Sequence, residues 1–179
     1  MAENILPLYL RPHLVNFFSK EMRSNTTMYI GSECKCFEIS KTSTIGAYLL
    51  EHIEKSNYPV KDISQFNFIV KINSSIRRKF NKEGMFWKVE RLGNSFVMLP
   101  EKYIERLNNI LEEYFRNAFY NFVSARHQDN ELLVTQSILL FIDKYDLFEC
   151  GVSQPQLRQL YYRMQKNGLL ASAQGKMYR

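Results

Sequence analysis

A sharply defined helix start near the C-terminus constrains the fold more than any other part of this sequence. Ser153 suits the N-cap position, because its hydroxyl can accept a hydrogen bond from an amide of the first turn. Gln156 lies three residues later and completes the pattern of a capping box. Val152 and Leu157 have the spacing of a hydrophobic staple. These signals agree on one boundary and predict a helix over Ser153-Asn167.

The predicted helix has two different faces. Its apolar positions recur at helical spacing, at Leu157, Leu160, Tyr161 and Met164. The opposite face is polar and basic, and no Asp or Glu occurs from Gly151 to Arg179. The residues just before it include Asp143, Asp146 and Glu149. Such a change of sign is what a surface that faces phosphates requires.

The segments on either side of this helix suggest a known architecture. Leu132 to Leu147 is a predicted helix, and Leu169-Arg179 reads as two short strands around a glycine-containing turn. Helix, capped helix and hairpin together resemble winged-helix DNA-binding domains, and the Gly151-Val152-Ser153 turn is similar to that of helix-turn-helix repressors. The resemblance covers about the last quarter of the chain and is to the superfamily as a whole. It implies a recognition helix at Ser153-Asn167 and a wing at Leu169-Arg179.

The resemblance implies double-stranded DNA as the partner. The residues expected at the DNA are Ser153, at the start of the helix, and the major-groove set Gln154, Gln156, Arg158, Gln159, Tyr162 and Arg163. Gln and Arg can make bidentate contacts to the edges of adenine and guanine. Lys166, Lys176 and Arg179 are expected to neutralise phosphates instead.

A second basic cluster lies in the first half of the chain, interleaved with aromatic residues. Its members are Arg77, Arg78, Lys79, Lys82 and Lys88. The cluster is either a second nucleic-acid contact or the solvated side of a hairpin and its loop. Two separated basic faces would suit a protein that grips an extended site.

The longest predicted helix runs from Glu101 to about Arg126, with apolar residues at spacings of three and four throughout. Two interpretations stay open for it. It is either the core helix on which other elements pack, or the contact surface of a homodimer through residues 101–126. The apolar stripe is wider than a coiled-coil seam, which favours the core helix.

The remaining pattern predicts an α+β fold in three parts. Residues 1–100 are expected to form a mixed α/β domain, whose role the sequence does not indicate. Residues 101–130 are expected to form a long helix and linker, and residues 131–179 a winged-helix domain. Within the first part we expect strands over Leu6–Leu10, Met28–Ile30, Cys34–Ile39 and Phe66–Ile72, a loop over Ser24–Thr27, helices starting at Pro12 and Ser43, and a hairpin of Phe86–Leu92 and Ser95–Leu99. A polar break is expected at His127–Asn130.

Composition and motifs exclude several classes of function. The 179 residues carry a net charge of +6 and contain no apolar run near the roughly 18 residues that span a bilayer. No secretory signal precedes the first apolar residues, which predicts a cytoplasmic protein without membrane contact. Cys34, Cys36 and Cys150 form neither a disulfide framework nor a zinc site with the histidines. Because no catalytic signature occurs either, we expect no enzyme activity, cofactor or metal.

The function expected from these patterns is non-catalytic DNA binding, as in a transcription regulator. A replication-initiation or mobile-element protein is one alternative, in which both basic regions touch DNA. A structural or adaptor protein is the other, because winged helices also dock protein partners. Steep loss of binding with rising salt would separate the DNA-binding functions from the adaptor.

Overall fold

A computed structural model describes residues 4–29, 32–38, 40, 43–56, 66–72, 96–130 and 133–167. Helices and strands are mixed, as the α+β prediction requires. The chain forms two compact units. Unit 1 contains residues 1–11 and 18–108, and unit 2 contains residues 12–17 and 109–179.

Unit 1 is built around a four-stranded sheet. Its strands are β1 (Asn4–Leu8), β2 (Asn25–Tyr29), β3 (Ser32–Glu38) and β5 (Phe68–Ile72), in the order β1-β5-β3-β2. β5 pairs antiparallel with β1 and parallel with β3, and β2 pairs antiparallel with β3. β4 (Glu54–Ser56) and β6 (Phe96–Met98) pair antiparallel in a second, two-stranded sheet. Helix α2 (Thr44–His52) starts as expected at Ser43, whose hydroxyl accepts a hydrogen bond from the Gly46 amide at 2.9 Å.

The core of unit 1 centres on strand β5. Phe68, Ile69 and Val70 are all buried, on both faces of the sheet. A strand that is paired on both sides and covered on both faces has a continuous run of apolar residues in its sequence. Strand β5 has such a run. Cys34 and Cys36 of β3 are buried in the same region, in a cluster with Phe66 and Ile69. The two cysteines are therefore core residues of the sheet.

Two asparagines, the half-buried Asn67 and the buried Asn108, hold the connection between β1 and the next helix. The Asn67 side chain accepts a hydrogen bond from the Leu10 amide at 2.9 Å and donates one to the Leu10 carbonyl at 2.7 Å. Asn108 accepts from the Arg11 amide at 2.8 Å and donates to the Tyr9 carbonyl at 3.0 Å. Backbone groups that leave a strand still need partners when water cannot reach them. Here the two side-chain amides provide those partners.

Helices α1 (Pro12–Glu21) and α3 (Glu101–Asn130) contribute residues to both units. Unit 2 is completed by α4 (Val134–Lys144), a 3-10 turn (Leu147–Cys150) and α5 (Gln154–Asn167). Its core is aromatic, and the ring of Phe141 lies 5.7 Å from that of Phe115, 5.2 Å from Phe119 and 4.7 Å from Tyr145. Phe115 and Phe119 belong to the apolar stripe of α3, so in unit 2 this stripe packs as a core helix does. These buried positions are therefore not available as a dimer seam.

Three expected boundaries differ from the structure. The sequence predicts a loop over Ser24–Thr27, but β2 begins at Asn25, because Thr26 and Thr27 suit a strand and pair with β3. The predicted break at His127–Asn130 is a continuation of α3, since these four residues include no proline or glycine to stop the helix. The unit boundary at residues 108 and 109 lies inside the helix that is predicted as a linker, because its later residues belong to the core of unit 2.

Other expectations fall partly outside the described residues. The predicted strand Phe86–Leu92 and the predicted wing Leu169-Arg179 both lie there. The second strand of the predicted hairpin, Ser95–Leu99, is present as β6, which pairs with β4, a pairing that the sequence does not suggest. Among the helices that are described, none has the length and apolar character needed to cross a membrane.

Candidate nucleic-acid interface

The connection before α5 fixes where the helix begins. Gly151 ends the 3-10 turn with a left-handed backbone, at a φ of 74°, and its amide donates to the Phe148 carbonyl at 3.0 Å. The Val152 amide donates to the Leu147 carbonyl at 3.2 Å. Glycine adopts this conformation without the steric penalty that a side chain brings. The predicted similarity to the turn of helix-turn-helix repressors includes this glycine and stays a prediction.

The predicted cap is present at the start of α5. The Gln156 side-chain oxygen accepts a hydrogen bond from the Ser153 amide at 2.9 Å, which is the half of the capping box that Gln156 supplies. The Leu157 amide donates to the Ser153 carbonyl at 3.2 Å, so Ser153 stands at the N-cap position. A bidentate contact to adenine needs both the oxygen and the nitrogen of a glutamine amide. Gln156 is therefore a capping residue here, and its side-chain oxygen is already engaged within the helix.

The inner face of α5 is the apolar stripe predicted from the sequence. Leu157, Leu160, Tyr161 and Met164 are all buried. The ring of Tyr161 stacks on that of Tyr120 in α3, with 5.4 Å between ring centroids. Since these side chains fix the rotation of the helix, the direction of every other side chain on α5 follows from them.

The outer face carries most of the predicted DNA-binding residues of the helix. The exposed side chains are Gln156, Arg158, Gln159, Tyr162, Arg163, Gln165 and Lys166, while Ser153 and Gln154 are half-buried. At roughly 100° per residue, Arg158 and Arg163 stand about 140° apart around the helix axis. Gln159, Tyr162 and Lys166 lie on the arc between them. The Arg158 guanidinium lies over the Tyr162 ring, 5.8 Å from its centroid.

The charge of this face is uniform. Residues 154–167 contain Arg158, Arg163 and Lys166 and no carboxylate. The acidic side chains that come just before α5 are Asp146 and Glu149, and both are exposed. Both contribute to a raised pKa of the Cys150 thiol, after its burial, which is the largest cause. A change from negative to positive therefore occurs at the beginning of α5, as the sequence predicts.

The other predicted contacts lie outside the described residues. These are Lys176 and Arg179 of the wing and the second basic patch of Arg77, Arg78, Lys79, Lys82 and Lys88. The structure therefore brings together the predicted residues of one helix and leaves the rest as predictions.

Unit 1 has a surface groove that the sequence does not indicate. It has a volume of about 430 Å³ and lies between the end of α1, strands β2 and β3, and the start of α2. Arg23 and Glu38 are exposed at it, with Cys36 and Phe37 among its lining residues. Residues so far apart in sequence give no local pattern, so only the folded chain reveals the groove. Among the described residues, no group of three or more His, Cys, Asp or Glu side chains could hold a metal ion.

Comparison with known proteins found no counterpart: no family model, no curated protein and no solved structure matches this chain. The function is therefore inferred from the residues of α5 and their surroundings.

Proposed function

We propose that this chain is a non-catalytic DNA-binding protein, acting as a transcription regulator, with α5 as its recognition helix. The observation that carries the proposal is the outer face of α5, which is exposed, basic and free of carboxylates while its inner face is buried. A helix that approaches DNA needs such a surface, because phosphates repel carboxylates and attract Lys and Arg.

The arrangement on the helix supports contact with the major groove, which admits an α-helix. Gln159 and Tyr162 lie near the middle of the exposed arc, where they would meet base edges. Arg158 and Arg163 lie towards its two sides, where guanine edges and phosphates are both within reach of a long side chain. Lys166, near the end of the helix, would neutralise a phosphate.

A role in docking a protein partner is the second candidate, and one observation favours it. Leu139 and Leu140 of α4 are 43% and 44% exposed. The outer face of α5 itself has Tyr162 as its large apolar side chain, so it suits DNA better than a protein core. The two functions would then use different helices of the same unit.

The proposal is tested by fluorescence-anisotropy binding of the full chain to a random duplex pool at two salt concentrations, followed by selection and sequencing of the bound DNA. We expect salt-sensitive binding and an enriched motif, because released counterions make phosphate binding weaken as salt rises. The double change Arg158→Ala and Arg163→Ala should abolish specific binding without unfolding the protein. Both side chains are exposed, so circular dichroism should be unchanged.

The matched control is Arg116→Ala with Arg126→Ala, which removes the same charge from α3 in the same unit. We expect the control to keep the enriched motif. Unchanged affinity of the Arg158 and Arg163 variant for that motif would contradict the proposal, as would no binding of the unmodified chain at low salt. The length of the protected DNA would separate a single-site regulator from a replication-initiation or mobile-element protein that also uses the second basic patch.

A further inference from the structure

The outer face of α4 is unusually apolar for a surface helix. Gln136, Leu139, Leu140 and Asp143 are all exposed and follow one another at positions i, i+3, i+4 and i+7, so they form one stripe. The opposite face is the buried one, with Ser137, Ile138, Phe141 and Ile142. A surface helix that packs on the core with one face normally carries polar residues on the opposite face. Here the two central positions are leucines.

More exposed apolar side chains lie beyond the two ends of the stripe. Leu133, at the N-cap of α4, is 65% exposed, and Phe148, in the 3-10 turn after α4, is 64% exposed. Isolated exposed apolar residues are ordinary, but several together on one element mark an interaction surface.

We propose that the outer face of α4 binds the same face of a second copy of this chain, with the two helices antiparallel about a twofold axis. The axis passes between Leu139 and Leu140. In this register the leucines of the two copies meet in the middle, and Gln136 of each copy faces Asp143 of the other. The proposal does not depend on DNA binding.

The polar ends of the stripe are what select a second copy as the occupant. An antiparallel pair places a glutamine amide, which donates hydrogen bonds, opposite a carboxylate, which accepts them, at both ends. A parallel pair would place Asp143 against Asp143 and so bring like charges together. The antiparallel arrangement also brings Leu133 of one copy towards the Phe148 end of the other. A stripe that complements itself when turned end for end is the signature of an isologous contact.

The size of the face predicts the strength of the contact. Stable complexes bury roughly 1,200–2,000 Å² in total, and a single pair of short helices buries less. The dimer should therefore be reversible and depend on protein concentration. A regulator that uses it would gain a twofold arrangement of its two α5 helices, and this consequence alone rests on the proposed function.

The first test is sedimentation equilibrium of the full chain without DNA, over a range of concentrations. We expect a reversible monomer–dimer equilibrium, and we expect Leu139→Gln with Leu140→Gln to shift it to monomer. Tyr9→Gln with Tyr114→Gln is the control, because these side chains lie outside α4 and are exposed to a similar extent, at 47% and 49%. A monomer at every concentration, or a dimer that survives the leucine changes, would overturn the proposal.

The second test addresses the register. Gln136→Glu places two carboxylates opposite each other at both ends of the contact. It should raise the dissociation constant of the dimer at least several-fold. Adding Asp143→Lys turns each of these contacts into an ion pair and should restore it. Failure of the second change to restore the dimer, in a protein whose circular dichroism is unchanged, would reject this register and with it the proposed contact.

Discussion

Single polar side chains in unit 1 provide hydrogen bonds that a neighbouring strand would otherwise provide. Asn108 is only 7% exposed, and its amide group bonds to the backbone of Tyr9 and Arg11 as well as to the Ile104 carbonyl of its own helix. A buried backbone group without a partner costs about 1–3 kcal/mol. The conformation of the chain after β1 therefore depends on this residue.

Replacing Asn108 by leucine should lower the free energy of unfolding by about 2–3 kcal/mol, because the Arg11 amide and the Tyr9 carbonyl lose their partner. Urea unfolding followed by circular dichroism would measure the change. Asn121→Leu, at an exposed position of the same helix, is the control and should change the free energy by less than about 0.5 kcal/mol. Equal effects of the two changes would mean that the Asn108 hydrogen bonds contribute nothing.

The Cys150 thiol should react slowly near neutral pH. Burial, Glu149 and Asp146 all raise its pKa, and only the thiolate is the nucleophile. At a pH between about 7 and 8 the folded protein therefore holds less thiolate at this position than the unfolded chain does. The difference should shrink as the pH rises above the raised pKa.

Labelling with iodoacetamide, followed by peptide mapping of the Cys150 peptide, would measure this rate from about pH 7 to about pH 10. Glu149→Gln should raise the rate near pH 8 by removing a negative charge, and Glu113→Gln on α3 should leave it unchanged. A native rate equal to that in urea at pH 8 would show that the pKa is not raised.

At the scale of elements, α5 shows which features of a helix can be predicted from the sequence. The cap, the buried stripe and the polar outer face are all local properties of one helix, and each can be predicted from residue spacing alone. The exposed leucines of α4 cannot be recognised in this way, because Leu139 and Leu140 look the same in a sequence whether they face the core or water. The capping role of Gln156 likewise depends on the observed hydrogen bond.

The start of α5 should be sensitive to the residue at position 151. Apart from Gly151 itself and its two chain neighbours, no heavy atom lies within 4 Å of the position that a Cβ would occupy, so a side chain there meets only backbone strain from the positive φ. Gly151→Ala should therefore lower stability by about 1–2 kcal/mol. Gly151→Asn should lower it less, because asparagine tolerates the left-handed region.

Thermal unfolding of the two variants would measure the difference. Both leave the outer face of α5 intact, so the proposed DNA binding should be unchanged below the unfolding temperature, which serves as the control. If alanine and asparagine lowered the stability equally, backbone strain at position 151 would not be the cause of the loss.

At the scale of the whole molecule, the sequence does not predict which strands pair when they are far apart along the chain. The strand Phe68–Ile72 can be predicted, but its two partners, β1 and β3, cannot be chosen from the pattern of any one segment. The same holds for β4 and β6, which are separated by about forty residues in sequence. The sequence around α3 shows a continuous helix and suggests a linker. The packing of α3 into the core of unit 2 depends on residues that are distant in sequence, since Phe115 contacts Phe17 and Phe141.

The order of strands in the sheet has a consequence for how the chain is made. β1 leaves the ribosome about sixty residues before β5, the strand that pairs with it. At roughly 5–20 residues per second, this interval lasts about 3–12 s. β2 and β3 can pair within it, whereas Leu6 and Leu8, both buried in the native protein, have no strand to join. Of the four strands in this sheet, β1 is thus the one whose partner is synthesised last after it.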